Sequence, residues 1–502
     1  MLRDNADHDP WLRHGGILGL AGCGDAKTLD EAARDASPAV RRAVLLALRR
    51  QKSPEVARFL ADADAEIVTE AARAVYDAEI DEALPKLAAL VSRSGLSEPL
   101  AFRVLNANLR IGTIENARAV ATYAARKDNP EKLRKEALLV LEKWDKPAGR
   151  DRIMGTWRPL PSRTTGIAAA ALKPSLGGIF TGPAGLRKEA ARIAAKLGIK
   201  EIGPTLFALF ADKTQPAGTR VETLRALAAL KDERVSKAVE LALADAEPTV
   251  RSEGRRILAA SKPDEALPSL EAALEKGALV EQQQAFDVLA TMKGAKPTAI
   301  IAAWLDRLID GKVPAELRLD LIEAAEKRKD KELDAKIRRH EATGPKGDPF
   351  GLWRYSRAGG SAEAGRQIFL NRSEVSCLRC HKAAGEGVGE VGPDLTGIGS
   401  RQNRDYLLES IVFPNKQIAK GFETVDLVLT SGQIRSGILK SEDAKEVKLM
   451  TAEGALVTVR KDRIEDRKTG KSAMPEDLVK HLSRRDARDL VEFLAGLKEV
   501  KK

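Results

Sequence analysis

Three cysteines in 502 residues leave no room for a disulfide framework, and two of them, Cys377 and Cys380, sit in one short motif. Aromatic residues make up only 4% of the chain, and no basic patch is interleaved with them in the manner of single-strand nucleic-acid binders. No apolar run reaches the roughly 18 residues of a membrane-spanning helix. An acidic excess is missing too: 84 Lys and Arg stand against 73 Asp and Glu, a net charge of +11. Most cations alternate with acids, as in "LRKEALLVLEKW" (from Leu133), which is the pattern of solvated helix faces. Nucleic acid is therefore not the expected partner; a basic surface facing an acidic protein is.

What is present is helical material. The hydrophobic share is 43%, the charged share 31%, and the first two-thirds is dense in Ala, Leu, Arg, Glu and Lys. The length exceeds one ordinary domain. "ASPAVRRAVLLALRR" (from Ala36), "DNPEKLRKEALLVLE" (from Asp128), "TGPAGLRKEAARIAAKLG" (from Thr181), "TQPAGTRVETLRALAAL" (from Thr214) and "AEPTVRSEGRRILAA" (from Ala246) share one plan with "HDPWLRHGGILGLAG" near the start. A turn residue and Pro open each amphipathic helix, and an Arg follows. Arg13 and Arg41 stand 28 positions apart, Arg187 and Arg220 33, and Arg220 and Arg251 31. Helix pairs of this size resemble HEAT repeats, somewhat shorter than the usual length of about 40–47. They imply an α-solenoid over residues 1–343, in which each pair buries its apolar face against its neighbours. The stretch from about 145 to 185 breaks the pattern.

Near the start, "LAGC" (Leu20 to Cys23) mimics a lipoprotein cleavage site. The acids before it and the short apolar run "GGILGLAG" instead favour a helix of the first repeat, with Cys23 as a small core residue.

After "KELDAKIRRHEA" the array fades into a Gly- and Pro-rich linker over 344–360, and a different domain follows over 361–499. "SAEAGRQIF" is expected as a Ser-capped helix, "RQNRDYLLESIVFPN" as another, and "SRRDARDLVEFLAGLK" as the last, capped by Ser483. Between the second and third lie "FETVDLVLT", "GQIRSGILK", "EVKLMTAEG" and "ALVTVRKDRI", alternating runs separated by turns. They predict a small antiparallel sheet inserted at about 422–466. The fold class is thus mainly α: a helical array, then an α-helical domain with a β insertion.

The motif is "VSCLRCHKAAGEG", from Val375. Structural zinc needs four ligands, and only the distant Cys23 and a lone His481 could add to the set. A redox dithiol does not require a His beside its second Cys. Covalent haem attachment does fit the spacing. Cys377 and Cys380 would carry two thioethers on one turn, and His381 would offer its imidazole to the iron. For the sixth position the candidates are Met450 in an alternating strand, His481, and Met474 in the non-helical "SAMPED". An iron left open is the remaining option. Gly392 would let the backbone approach the haem closely.

"GRQIF" before the motif, "GPDLTGIG" after it and "MP" before a terminal helix together resemble class I cytochromes c. That resemblance implies that Pro393 offers its carbonyl to the proximal His381, and that Met474 is the second axial ligand. Repeats, CxxCH, "GPDL", inserted sheet and "SAMP" taken together resemble the multidomain haem-binding CxxCH proteins of planctomycete-type bacteria. The likeness is good over the last 140 or so residues and loose over the repeats. In that family a domain resembling sugar dehydrogenases often precedes the repeats; this sequence has none, so such an activity would belong to a partner.

The expectation is a c-type cytochrome with one covalent haem c, His381/Met474 ligation and a repeat scaffold. Electrons would pass through the haem edge near the two Cys. The scaffold would dock a redox partner, with a sugar or alcohol dehydrogenase as the candidate. The alternatives are a peroxidase- or oxidase-type haem subunit with an open iron, and a pure protein-binding scaffold. No acid–base pair, nucleophile or phosphate loop predicts an enzyme site. Attachment of haem c implies an extracytoplasmic, periplasmic location, yet no export signal is evident: either the N-terminus is truncated, or the true start lies elsewhere, or Cys23 is lipidated, and the repeat pattern beginning almost at Met1 favours truncation.

Overall fold

A computed structural model describes residues 1–344, 350–383, 385–387 and 391–498. The protein is mainly helical, with one five-stranded antiparallel sheet close to the C-terminus. Among the described residues no helix is long and apolar enough to cross a membrane. Contacts divide the chain into two compact units, Met1–Ile257 and Leu258–Lys502.

In the first unit the helices Pro38–Arg50, Ala65–Asp77, Glu98–Ile111, Glu131–Glu142, Ala184–Lys196 and Ala217–Leu230 pack each on the next, with other helices between them in sequence. Their inner faces bury Val44, Leu45, Ile67, Leu105, Leu138, Leu141 and Leu224 almost completely, as the three- and four-residue apolar spacing demands. The recurring arginine has a structural task. Arg41 donates to the carbonyls of Asp35 and Ala36 at 2.9 and 3.1 Å, and Arg251 to those of Asp245 and Ala246 at 2.7 Å each. Arg134 and Arg220 reach the carbonyls of Ala124 and Phe210 at 2.8 and 3.0 Å. Arg134 and Arg220 thus satisfy acceptors in the last turn of the preceding helix, and Arg41 and Arg251 satisfy carbonyls of the turn that leads into their own helix.

No helix forms between Glu142 and Ile167. The segment is pinned to the array instead: Asp151 accepts from the Tyr76 hydroxyl at 2.7 Å, and Arg158 pairs with Asp81 at 2.9 Å. The helix Pro10–Cys23 buries Gly16 and Ile17, but Cys23 is exposed at its C-terminal end. This corrects the expectation of a core cysteine: the face packed against Pro38–Arg50 does not include position 23.

In the second unit, five helices from Pro263–Lys276 to Lys331–Ala342 enclose a core of Leu270, Phe286, Leu305 and Ile322. Part of the Gly- and Pro-rich linker, 345–349, lies outside the described residues. From Phe350 the chain forms a tight 3-10 segment, with the Ser356 hydroxyl donating to the Arg484 carbonyl at 2.8 Å. Three longer helices follow around a second core, with the short helix Ile398–Arg401 between the first two: Ala362–Asn371, capped by Ser361; Arg404–Val412, capped by Asn403; and Arg484–Gly496, where Ser483 and Asp486 form a reciprocal capping box. Phe369 and Phe493 pack with ring centroids 5.5 Å apart where the first and last of these meet.

The sheet comprises β1 (Thr424–Leu429), β2 (Ile434–Glu442), β3 (Glu446–Met450), β4 (Leu456–Arg460) and β5 (Ile464–Thr469), in the order β4-β3-β2-β1-β5. Its small core is Leu427, Val447, Leu449 and Val459. The strand β5 was not foreseen. "IEDRKT" has no apolar alternation and is exposed along nearly its whole length, so pairing with β1 alone defines it. The insertion begins and ends in one place. Gly470 N–H donates to the Thr424 carbonyl at 2.9 Å, and the Thr424 hydroxyl donates to the carbonyl of Lys471.

Candidate functional site

Cys377, Leu378 and Arg379 form a single 3-10 turn. Cys380 N–H and His381 N–H both donate to the Cys377 carbonyl, at 3.2 and 2.9 Å. The two-residue spacing thus becomes one turn that carries both thiols, with the imidazole immediately after it. Cys377 packs against the apolar cluster around Phe369 and Leu408. Burial pushes its thiol up to about 11 and raises that of Cys380 as well, so both favour the uncharged form.

The His381 ring is oriented by a hydrogen bond, its Nδ1 lying 2.9 Å from the Pro393 carbonyl. A carbonyl can only accept, so Nδ1 carries the proton and Nε2 is left as a lone-pair donor. Burial lowers the imidazole pKa, which favours that neutral ring, and the Pro393 contact opposes the shift. Gly392 explains how the carbonyl comes so near. Its N–H donates to the Cys380 carbonyl at 2.9 Å, and a Cβ there would lie 2.7 Å from His381 Cε1 and 2.8 Å from Nδ1. Only glycine fits such an approach.

Met474 is partly buried in the bend that precedes Pro475. Its N–H donates to the Ser472 hydroxyl at 3.1 Å, and Ser472 N–H donates to the Asn415 side chain at 2.7 Å. Asn415 follows the helix Arg404–Val412, so one amide brackets the bend to the far side of the insertion. Nothing in the sequence pattern marks that role.

These residues meet in one cavity of about 720 Å³, lined by Cys377, Cys380, His381, Gly392, Pro393 and Met474. Leu407, Ile411, Leu490 and Leu494 supply apolar wall from the second and last helices. His481 also reaches the cavity, but it is exposed and its carbonyl accepts from Arg372 at 2.7 Å. Met450 is elsewhere: it sits in β3 opposite Ile438 and Leu456. The cavity also takes in residues with no functional signal in the sequence, among them Phe422 ahead of β1 and Ala452 and Glu453 in the turn between β3 and β4.

Among the described residues no group of three or more His, Cys, Asp or Glu comes together to hold a bare ion, so the zinc alternative finds no further ligands for the two thiols and His381. A flat macrocycle fits better. Two thiols on one turn, a neutral imidazole with Nε2 unengaged, and apolar walls suit a porphyrin with iron.

Comparison with known proteins agrees with that chemistry. Residues 362–448 match the family model for cytochrome c. The match begins with the helix ahead of the motif and ends in β3, before Met474. No curated protein matches. A solved structure of an engineered protein shares 19% identity, covering 68% of this chain and 93% of its own, with a TM-score of 0.32, too low to bear on the fold. The segment that carries Cys377, Cys380 and His381 is a cytochrome c domain, which makes covalently bound haem c the cofactor of this protein.

Proposed function

We propose that the protein is an electron-transfer cytochrome with one haem c, in which His381 and Met474 are the axial ligands and a helical-repeat scaffold serves for docking. The observation that carries this reading is the meeting of the Cys377–Cys380 turn, His381 and Met474 in one largely apolar cavity. Haem c supplies a one-electron Fe(III)/Fe(II) couple when bound. Cys377 and Cys380 would hold it through thioethers. The Pro393 carbonyl keeps the proton on His381 Nδ1, which orients Nε2 and raises its basicity. The Ser472–Asn415 bracket presents Met474, and a thioether there keeps oxygen and peroxide off the metal and raises the potential. That favours electron transfer over oxygen chemistry.

The helix pairs of residues 1–343 are read as HEAT-like, joined through 344–360 to a haem domain over 361–499, as in the planctomycete-type CxxCH proteins. The net charge of +11 suits an acidic redox partner, for which a sugar or alcohol dehydrogenase is proposed. Because haem c is attached outside the cytoplasm, a periplasmic location is proposed.

The test is periplasmic expression with mass spectrometry and ferric spectra. A haem adduct on the peptide holding Cys377–His381 is expected, with a low-spin spectrum and a weak far-red band from sulfur ligation. Met474→Ala should lose that band, become high-spin and bind cyanide rapidly, while His481→Ala should change nothing. A wild-type spectrum that is already high-spin, or one that Met474→Ala leaves unaltered, refutes the ligation and favours an open-iron haem subunit.

A further inference from the structure

The turn between β3 and β4, Thr451–Ala455, belongs to the inserted sheet and lies beyond the residues that match the cytochrome c family. Yet Ala452 and Glu453 line the same cavity as Cys377, Cys380 and His381. Two further observations locate the turn. Glu453 lies close enough to feel the charge of Arg379, which stands between the two cysteines. A Cβ on Gly454 would lie 3.8 Å from Val391, the residue ahead of Gly392 and Pro393. The turn therefore reaches both the thiol-bearing loop and the strip that orients His381.

It is also built to hold its shape. Thr451 N–H donates to the Ala455 carbonyl at 2.9 Å, Gly454 N–H to the Thr451 carbonyl at 3.0 Å, and Ala455 N–H to the Thr451 hydroxyl at 3.3 Å. Gly454 has φ of +85°, a conformation that other residues adopt only under strain. Cross-strand pairing of β3 with β4 continues up to Met450 and Leu456, directly at the turn's base.

We infer that this turn is a fixed cover over the thioether edge of the haem, so that a redox partner exchanges electrons across the turn and not against a bare edge. The inference rests on the haem reading above. It changes the expectation of an open edge beside the two cysteines. The physical effect is twofold. Excluding water from that edge disfavours the more highly charged ferric state and raises the potential, because burial and dielectric are levers on a haem couple. The Glu453 carboxylate acts oppositely, since a negative charge nearby stabilises the ferric state.

The two effects separate in a pair of holoprotein variants. Replacing Ala452–Gly454 by Asn-Gly keeps a hairpin but removes both the cover and the charge; Glu453→Gln removes the charge alone. Two readouts are used. One is the midpoint potential. The other is the rate at which ferrous protein gives one electron to hexacyanoferrate(III), yielding ferric protein and hexacyanoferrate(II). The shortened turn should show a lower potential and several-fold faster oxidation than Glu453→Gln. Equal values in the two overturn the cover. Gly454→Val, which keeps the length and the charge but strains the turn open, should likewise be oxidised faster than wild type; an unchanged rate and potential count against the proposal. Failure of the haem reading looks different: the wild-type protein itself would lack the added haem mass.

Discussion

At the scale of single residues, the proximal side of the site depends on an atom that no side-chain substitution can delete, the carbonyl of Pro393, and on the empty space at Gly392 that lets it approach. Gly392→Ala is therefore the informative change. The added methyl would sit within 2.8 Å of the His381 ring and 3.1 Å of the Cys380 carbonyl, so the ring or the loop must move. A cost of about 1–3 kcal/mol is expected, seen as a lower melting temperature of the holoprotein, together with altered haem absorbance as His381 Nε2 swings off line. An unperturbed spectrum with wild-type stability would mean that the loop gives way freely. Sequence reasoning reached this neighbourhood because Cys377, Cys380, His381, Gly392 and Pro393 lie within 17 consecutive positions and their chemistry is local. It did not reach Asn415, whose bond to Ser472 spans 57 positions and leaves no periodic trace.

At the scale of elements, the final helix Arg484–Gly496 faces two ways. Leu490 and Leu494 line the haem cavity, while three arginines on it reach the preceding helices. Arg484 pairs with Glu326, Arg485 with Asp287 at 2.7 Å and Glu323 at 2.6 Å, and Arg488 with Asp320 at 2.6 Å. The sequence shows an amphipathic helix with a cationic face, which on pattern alone reads as solvated. Arg488 is in fact 7% exposed and Asp320 1%. Arg488→Ala would leave Asp320 with only Arg485, 3.4 Å away, and should destabilise the unit by about 3 kcal/mol in chemical denaturation. Replacing both residues together, Arg488→Met with Asp320→Leu, should recover most of the loss, because the cost lies in the stranded charge. Recovery failing entirely would point to packing and not to charge. The β5 strand shows the converse blind spot: it is charged and exposed along its length, and only its partner strand makes it a strand.

At the scale of the whole molecule, the helical character of the first two-thirds was legible in its Pro–Arg openings and its three- and four-residue apolar spacing, because each helix must bury one face. The division between Ile257 and Leu258 was not, since helices on either side share one pattern, and the later ones are tied to the haem domain by long-range contacts: the arginine pairs of the final helix, Tyr355 in their core, and the Gln283 amide donating to the Gly359 carbonyl at 2.8 Å. Two units with separate cores should respond separately. Glu142, in the first unit, is held down to about 2 from 4.5 by hydrogen bonds from Arg192 and, less strongly, Lys196. A carboxylate depressed in the folded state stabilises above its unfolded pKa and loses that contribution as pH falls toward the folded one. The first unit should thus weaken between pH 4.5 and about 2, and Glu142→Gln should flatten that acid limb. Calorimetry and far-ultraviolet dichroism across this range report the helices of both units, while haem absorbance reports the second alone. A shift of the haem signal by Glu142→Gln would show that the two are energetically one.

The place where the inserted sheet leaves the helical domain and returns to it has a consequence for ancestry and engineering alike. With Thr424 bonded to Gly470 and Lys471, and Asn415 to Ser472, the detour of the chain is stapled shut at its base. The position of Met474 is then insensitive to how long the detour is, because lengthening a closed loop adds cost only logarithmically. Another module could be grafted inside the staple, between Thr424 and Gly470, without retuning the distance across the cavity, at the cost of the Thr451–Ala455 turn.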